Sequence, residues 1–422
     1  MRSSAYLCDW WPPKLAWNAI LVASVFLLLP LAHLRPIASL PLYTLEWPLL
    51  LLFLGTFTFF CRPSVWLTPL YRPLFFGGML FLVGAGLAFF FNDVTWGMLG
   101  EAKSFLILPF LFALILARLK LSLEEHRLIL SAWSLGLATL ATAGIIAFFF
   151  GWLTYDGRLA LLYTSPNHLA MLLAPGMLIS LSGLFSMRLA GLLTLLSLLG
   201  ALFLTRSYNA IFSLGLSSFF LRPSLLMGAR HWWLLIPLLF LLLWGTHEFS
   251  TEKFQSLVTF DERSSLASRL MIWEAAWEIS REAFPLGIGI GRFQEVYLAY
   301  QPLFPPYLEW AVPEPHNLLL SIFLATGSLG LLGFLLVCVA TFWRLRRLSL
   351  LSNSEGDRAI ARLYGVLLGL VPIMGLLDTP YFTHAGGITF WGIIGLAWSL
   401  QVKALDGESD GSRTSSNYKL TR

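Results

Sequence analysis

Apolar runs of roughly 15 to 20 residues recur along almost the whole chain, from Leu15 to Leu400. A helix needs roughly 20 residues to cross the hydrocarbon core of a bilayer, and fewer when its ends are buried in protein. A backbone in lipid must also satisfy its own N–H and C=O groups, so such runs fold as helices. They start near Leu15, Leu42, Leu74, Ser104, Ile129, Leu169, Leu189, Tyr208, Trp232, Leu318, Leu363 and Gly386. The pattern predicts an all-α polytopic membrane protein with about twelve transmembrane helices. Leu189 to Leu221 is one long stretch interrupted by Arg206-Ser207-Tyr208-Asn209. Two short helices with a polar elbow explain it better than one unbroken helix.

Only 12% of the 422 residues are charged, against about 25% in a soluble domain. The net charge of +5 does not imply a nucleic-acid partner, because the basic residues sit in loops between spans. Cys8, Cys61 and Cys338 fall at or within apolar segments without paired spacing, so neither a disulfide framework nor a zinc site is expected. The first run, Leu15 to Leu34, is followed by Arg35-Pro36 without a small-residue cleavage site, which reads as a retained span rather than a signal peptide. With a cytoplasmic amino terminus, most lysines and arginines fall inside, as the positive-inside rule requires. The exceptions are Arg35, Lys103, Arg158, Arg206, Lys253, Arg263, Arg269, Arg281 and Arg292. From Lys253 onward these share one long outer loop, where the rule weighs little. Both termini are therefore expected in the cytoplasm. The layout is residues 1–247 as spans one to nine, 248–316 as the loop, 317–402 as spans ten to twelve, and 403–422 as a disordered tail.

Long loops in compact proteins are usually functional, and this one has internal structure. Ser264-Ser265 can cap a helix starting near Leu266, in which Arg269, Trp273 and Trp277 share a face. Pro285-Leu-Gly-Ile-Gly-Ile-Gly291 lacks the following helix and the acid of a dinucleotide fingerprint. It reads as a tight turn that admits backbone or a ligand. Phe293, Tyr297, Tyr300, Phe304, Tyr307 and Trp310 suit an interfacial belt or the faces of sugar rings. The loop ends in Pro313-Glu-Pro-His-Asn317. His316 sits where the tenth span begins, and two readings stand: a helix cap, or a base whose charged form the helix dipole disfavours.

Glu314-Pro-His-Asn-Leu-Leu-Leu-Ser-Ile-Phe-Leu-Ala-Thr-Gly-Ser-Leu-Gly330 resembles the O-antigen ligase and polymerase superfamily: a histidine-asparagine pair, then a helix with a glycine-x-x-glycine stretch. Thr164-Ser-Pro-Asn167, Thr205-Arg-Ser-Tyr-Asn-Ala210, Ser268-Arg-Leu-Met-Ile-Trp273 and Pro285 to Phe293 fit in the same order. The resemblance covers roughly Thr164 to Gly330. It implies an inverting integral-membrane glycosyltransferase that works without metal, cofactor or nucleotide sugar. Such an enzyme moves a glycan from undecaprenyl diphosphate to a sugar hydroxyl at the periplasmic face of the bacterial inner membrane. The long, partly helical loop is then periplasmic. The acceptor is lipid A-core in the ligases and another lipid-linked repeat in the polymerases.

By motif position, His316 matches the histidine held to deprotonate the acceptor, and Arg269 the arginine held to bind the diphosphate. The elbow motif usually has arginine directly after its serine; here Tyr208 stands there, with Arg206 two positions earlier. A guanidinium matches phosphate in a bidentate fork and keeps its charge at any relevant pH. Snorkelling toward the interface is the plain alternative for both arginines. Asn317, Tyr208, Trp273, Arg292 and Asp378 are possible cleft residues. Arg263, Arg281, Arg292 and Lys103 rank second for phosphate or acceptor contact. Asp378 and His384 flank Thr379-Pro-Tyr-Phe-Thr383, for which a capped turn is the simpler reading. Glu314 is a possible carboxylate partner of His316, though Pro315 restricts that geometry. The leading expectation is an O-antigen ligase whose partners are the lipid-linked donor, lipid A-core and membrane lipids. The alternatives are a polymerase of the same superfamily or a polysaccharide transporter. No internal repeat of the kind transporters carry is visible.

Overall fold

A computed structural model describes residues 17–36, 42–60, 68, 70–92, 95–183, 188–221, 245–246, 248–262, 264–305 and 309–400. The expected ninth span near Trp232, His247, Arg263, Tyr307, Cys8, Cys61 and the tail at 403–422 lie outside the described residues. The described residues form helices and no strand. In order these are α1 (Trp17–Leu27), α2 (Glu46–Phe60), α3 (Arg72–Phe90), α4 (Trp96–Ala102), α5 (Leu108–Arg118), α6 (Leu123–Phe149), α7 (Pro166–Leu181) and α8 (Arg188–Thr205). There follow α9 (Tyr208–Phe219), α10 (Glu252–Val258), α11 (Ser265–Glu282), α12 (Phe293–Tyr300), α13 (Leu318–Leu351), α14 (Glu355–Gly375) and α15 (His384–Ser399).

Among the described residues, five segments are long and apolar enough to cross a membrane: Arg72–Phe90, Trp96–Arg118, Leu123–Phe149, Leu318–Leu351 and Glu355–Gly375. Trp17–Leu27, Glu46–Thr56, Pro166–Leu181 and Leu189–Thr205 are apolar but shorter. The chain is a membrane protein whose helices stand near the expected positions. The fourth starts earlier than Ser104, because Thr95 caps it through a bond from Met98 N to Thr95 Oγ1 at 3.3 Å. A π-turn at Lys103–Ile107 joins α4 to α5. Pro109 just beyond it has no N–H to continue the regular ladder.

The polar interruption after Thr205 does divide one apolar stretch into α8 and α9. Arg206 takes a left-handed backbone (φ +48°) and Ser207 precedes the first turn of α9. The glycines of the 327–333 stretch serve packing. Without side chains, Gly330 and Gly333 let α13 press against Gly77 and Gly84 of α3; a Cβ on Gly84 would strike the Gly330 backbone. Gly327 breaks α13 with φ 68° and ψ −176°. The freed groups bond the Pro285–Gly291 turn: Ile288 N and Gly289 N donate to Leu324 O at 2.8 and 3.0 Å, and Ser328 N to Pro285 O at 2.8 Å. A Cβ on Gly287 would lie 2.7 Å from two α13 carbonyls, so this turn admits backbone. Ile272, Ala276, Ile279, Ile288, Phe293 and Tyr297 close a small second core over Leu324. That core fixes α11 and α12 onto the bundle.

Candidate active site

The last carbonyls of a helix have no partner within it. At the end of α14, three of them take side chains from three other helices. Met374 O accepts from Asn209 Nδ2 at 2.9 Å, Leu376 O from Asn317 Nδ2 at 3.4 Å, and Leu377 O from Arg269 Nε. A guanidinium suits this negative end of the helix dipole. One turn of chain thereby gathers the starts of α9, α11 and α13.

Asp378 follows directly and is buried, with 1% of its surface exposed. Its Oδ1 lies 3.0 Å from His316 Nδ1 and accepts from Thr379 N at 3.0 Å; its Oδ2 is 3.4 Å from Arg269 Nη2. Burial alone would raise the Asp378 carboxyl. The hydrogen bond with His316 and the charges of His316, Arg269 and His168 outweigh it and hold the group well below the usual range. An ionised carboxylate only accepts, so Nδ1 of His316 must carry the hydrogen. In the neutral ring the lone pair then sits on Nε2, which bonds no other group among the described residues. His316 is held with φ +51°, a backbone region that a non-glycine residue enters at a cost.

The cap reading belongs to the neighbouring residue. Asn317 Oδ1 accepts from Leu319 N and Leu320 N at 3.1 and 3.2 Å, which leaves the His316 ring to Asp378. Glu314 is not the partner of His316. Its surroundings are Ser321 and Glu101, and burial followed by the Glu101 charge raises it to about 8. Pro315 separates the two orientations, as the restricted backbone before proline requires.

Arg269 is 13% exposed and spends three N–H groups on protein: Nε on Leu377 O, Nη1 on Ser265 O at 2.8 Å, Nη2 toward Asp378. Arg206 differs. Its Nε approaches Glu248 Oε2 at 3.5 Å, and its Nη groups have no protein partner among the described residues. Glu248 is buried and accepts from Tyr208 OH at 2.7 Å. Lys253 donates to Arg206 O and lies 4.4 Å from the Tyr208 ring centre.

The remaining sequence candidates disperse. Arg292 bonds Asn92 Oδ1 at 3.1 Å beside α3, outside this cluster. Arg281 pairs with Glu278 on the surface of α11, and Lys103 with buried Glu46. The His384 ring lies tilted against Tyr43, with ring centres 4.0 Å apart. Trp273 is half-buried one turn beyond Arg269, with no partner for its indole N–H among the described residues. Glu248 and His168 escaped sequence reasoning. His168 lies in the field of Asp378 and His316 and bonds Thr164 Oγ1 through Nδ1 at 3.0 Å. Asp378 was legible as a cleft or capped-turn residue but not as the partner of His316 and Arg269, because these are 62 and 109 positions away.

The family model described as O-antigen ligase matches residues 192–335, which include Arg206, Arg269, His316 and Asn317 but not Asp378. No curated protein matches the chain. Over residues 192–335 the chain is therefore similar to the O-antigen ligase family.

Proposed function

We propose that the protein is an O-antigen ligase, joining a glycan from undecaprenyl diphosphate to a hydroxyl of lipid A-core. In this reading about twelve spans cross the bacterial inner membrane. Both termini are cytoplasmic, and the α14 end of the bundle faces the periplasm. Nε2 of His316 takes the proton of the acceptor hydroxyl as its oxygen attacks the anomeric carbon. The bond from that carbon to the diphosphate oxygen breaks, with inversion, and negative charge grows on the leaving group. A guanidinium already in place stabilises that charge without reorganising. Arg206 supplies its unengaged fork to the diphosphate. Arg269 contributes mainly through Asp378, with its remaining N–H groups toward the donor.

The observation that carries the reading is the His316–Asp378 pair at 3.0 Å. It fixes the ring tautomer that leaves a base on Nε2, at the same helix end that anchors the Arg206 elbow through Asn209 and Met374. The test is purified protein with labelled lipid-linked glycan, with and without lipid A-core. Transfer that requires added core supports the ligase. Lengthening of the donor glycan without core selects the polymerase, and movement across vesicles that survives loss of transfer selects a transporter.

A further inference from the structure

Resting on that reading, we propose that Lys253 and Arg158 join Arg206 in one anion pocket that takes the donor diphosphate. The three cations come from separate segments. The loop after α6 turns at Thr154, where Thr154 N and Thr154 Oγ1 both bond Arg158 O at 2.9 Å. Leu159 N then donates to Leu204 O at 2.9 Å, which ties this loop to the last turn of α8, two residues before Arg206. Thr251 caps α10 by accepting from Phe254 N at 3.3 Å, and so presents Lys253 from the other side.

Among the described residues their charges are not balanced locally. Arg158 pairs with Asp156 through Nε, and Glu248 is shared between Tyr208 and Arg206. Among the described residues, two carboxylates therefore face three cations. The Nη groups of Arg158 and Arg206 have no protein partner among the described residues. Burial, then repulsion from Arg158, lowers the Lys253 ammonium to about 8; Glu248 and Asp156 oppose this and Arg206 adds to it. Holding an excess cation half-buried is costly unless an anion completes the set. Two linked phosphates supply both the charge and the acceptor oxygens for two guanidinium forks. The left-handed backbone of Arg206 fits the same purpose, since it turns this side chain out of an apolar helix end.

Lys253 also holds the Arg206 carbonyl, and a holding role needs a donor but no charge. The two roles separate by substitution. Full-length protein in detergent is titrated with inorganic diphosphate, and donor KM and kcat are measured alongside. Lys253→Gln keeps a donor and loses the charge; it is expected to weaken diphosphate binding roughly tenfold and raise donor KM, with kcat less affected. Lys253→Arg is expected to bind within about threefold of the parent. Arg158→Gln is expected to behave as Lys253→Gln does. The proposal is overturned if Lys253→Gln and Arg158→Gln bind diphosphate as the parent does. It is equally overturned if the parent binds none while still transferring glycan. If the pocket binds diphosphate through these residues but no glycan acceptor is ever used, the pocket stands and the ligase reading fails.

Discussion

Arg269 and Arg206 stand at the same end of the bundle, and their surroundings put the same side chain to opposite uses. Arg269 is nearly enclosed and bonds a helix-end carbonyl, its own helix and buried Asp378. Arg206 is 31% exposed, has no partner for its Nη groups among the described residues, and sits among Lys253, Arg158 and Glu248. A guanidinium locked by protein acceptors transmits position; one with an open fork is available to a ligand. Residue type therefore does not distinguish a positioning group from a binding group, whereas the count of satisfied N–H groups does.

The comparison breaks first at His316, which Arg269 reaches through Asp378. His316→Ala is expected to reduce transfer by about 10²–10⁴-fold with insertion and folding unchanged, measured by glycan transfer and gel-filtration profile. Asp378→Asn leaves the tautomer unfixed and Arg269 without its counter-charge. A loss of about 10²-fold in kcat is expected, with donor KM little changed. The sharpest contrast comes from paired lysine variants. Arg269→Lys should lower kcat about tenfold, because one ammonium cannot replace three directed N–H groups. Arg206→Lys should instead raise donor KM about tenfold. If both variants change the same parameter, the division of labour drawn here is wrong.

A smaller effect is expected from pH. Lys253 is a base whose proton is lost as pH rises through about 8, so its charge is present below that value and absent above it. In the parent, donor KM should rise above pH about 8; in Lys253→Arg this alkaline limb should disappear. The smallest change is expected from Asn317→Ala, which removes the cap of α13 and costs about 1 kcal/mol of stability, read by thermal unfolding. An effect confined to stability would keep Asn317 structural.

Several parts of the molecule were legible in the chain itself. Apolar run lengths gave the helices and the break at Arg206, because a backbone in lipid has few other ways to satisfy its polar groups. The Ser264 cap and the apolar spacing after it gave α11. The glycine run was legible as a close approach but not as an approach to the break at Gly327, since that contact joins segments about forty residues apart. His316 was singled out by position, while the one carboxylate weighed as its partner was Glu314, near in sequence but set against the restriction of Pro315.

What the sequence alone determined was the solvent and the elements: helices in a membrane, one structured loop, and a histidine with arginines at its edges. What only the tertiary structure decided was who touches whom. Asp378 became the partner of His316 because the end of α14 leaves carbonyls that Asn209, Arg269 and Asn317 must satisfy. Spacing along a chain governs local helices through backbone bonds, but a site built from four helix ends depends on packing, which periodicity does not encode.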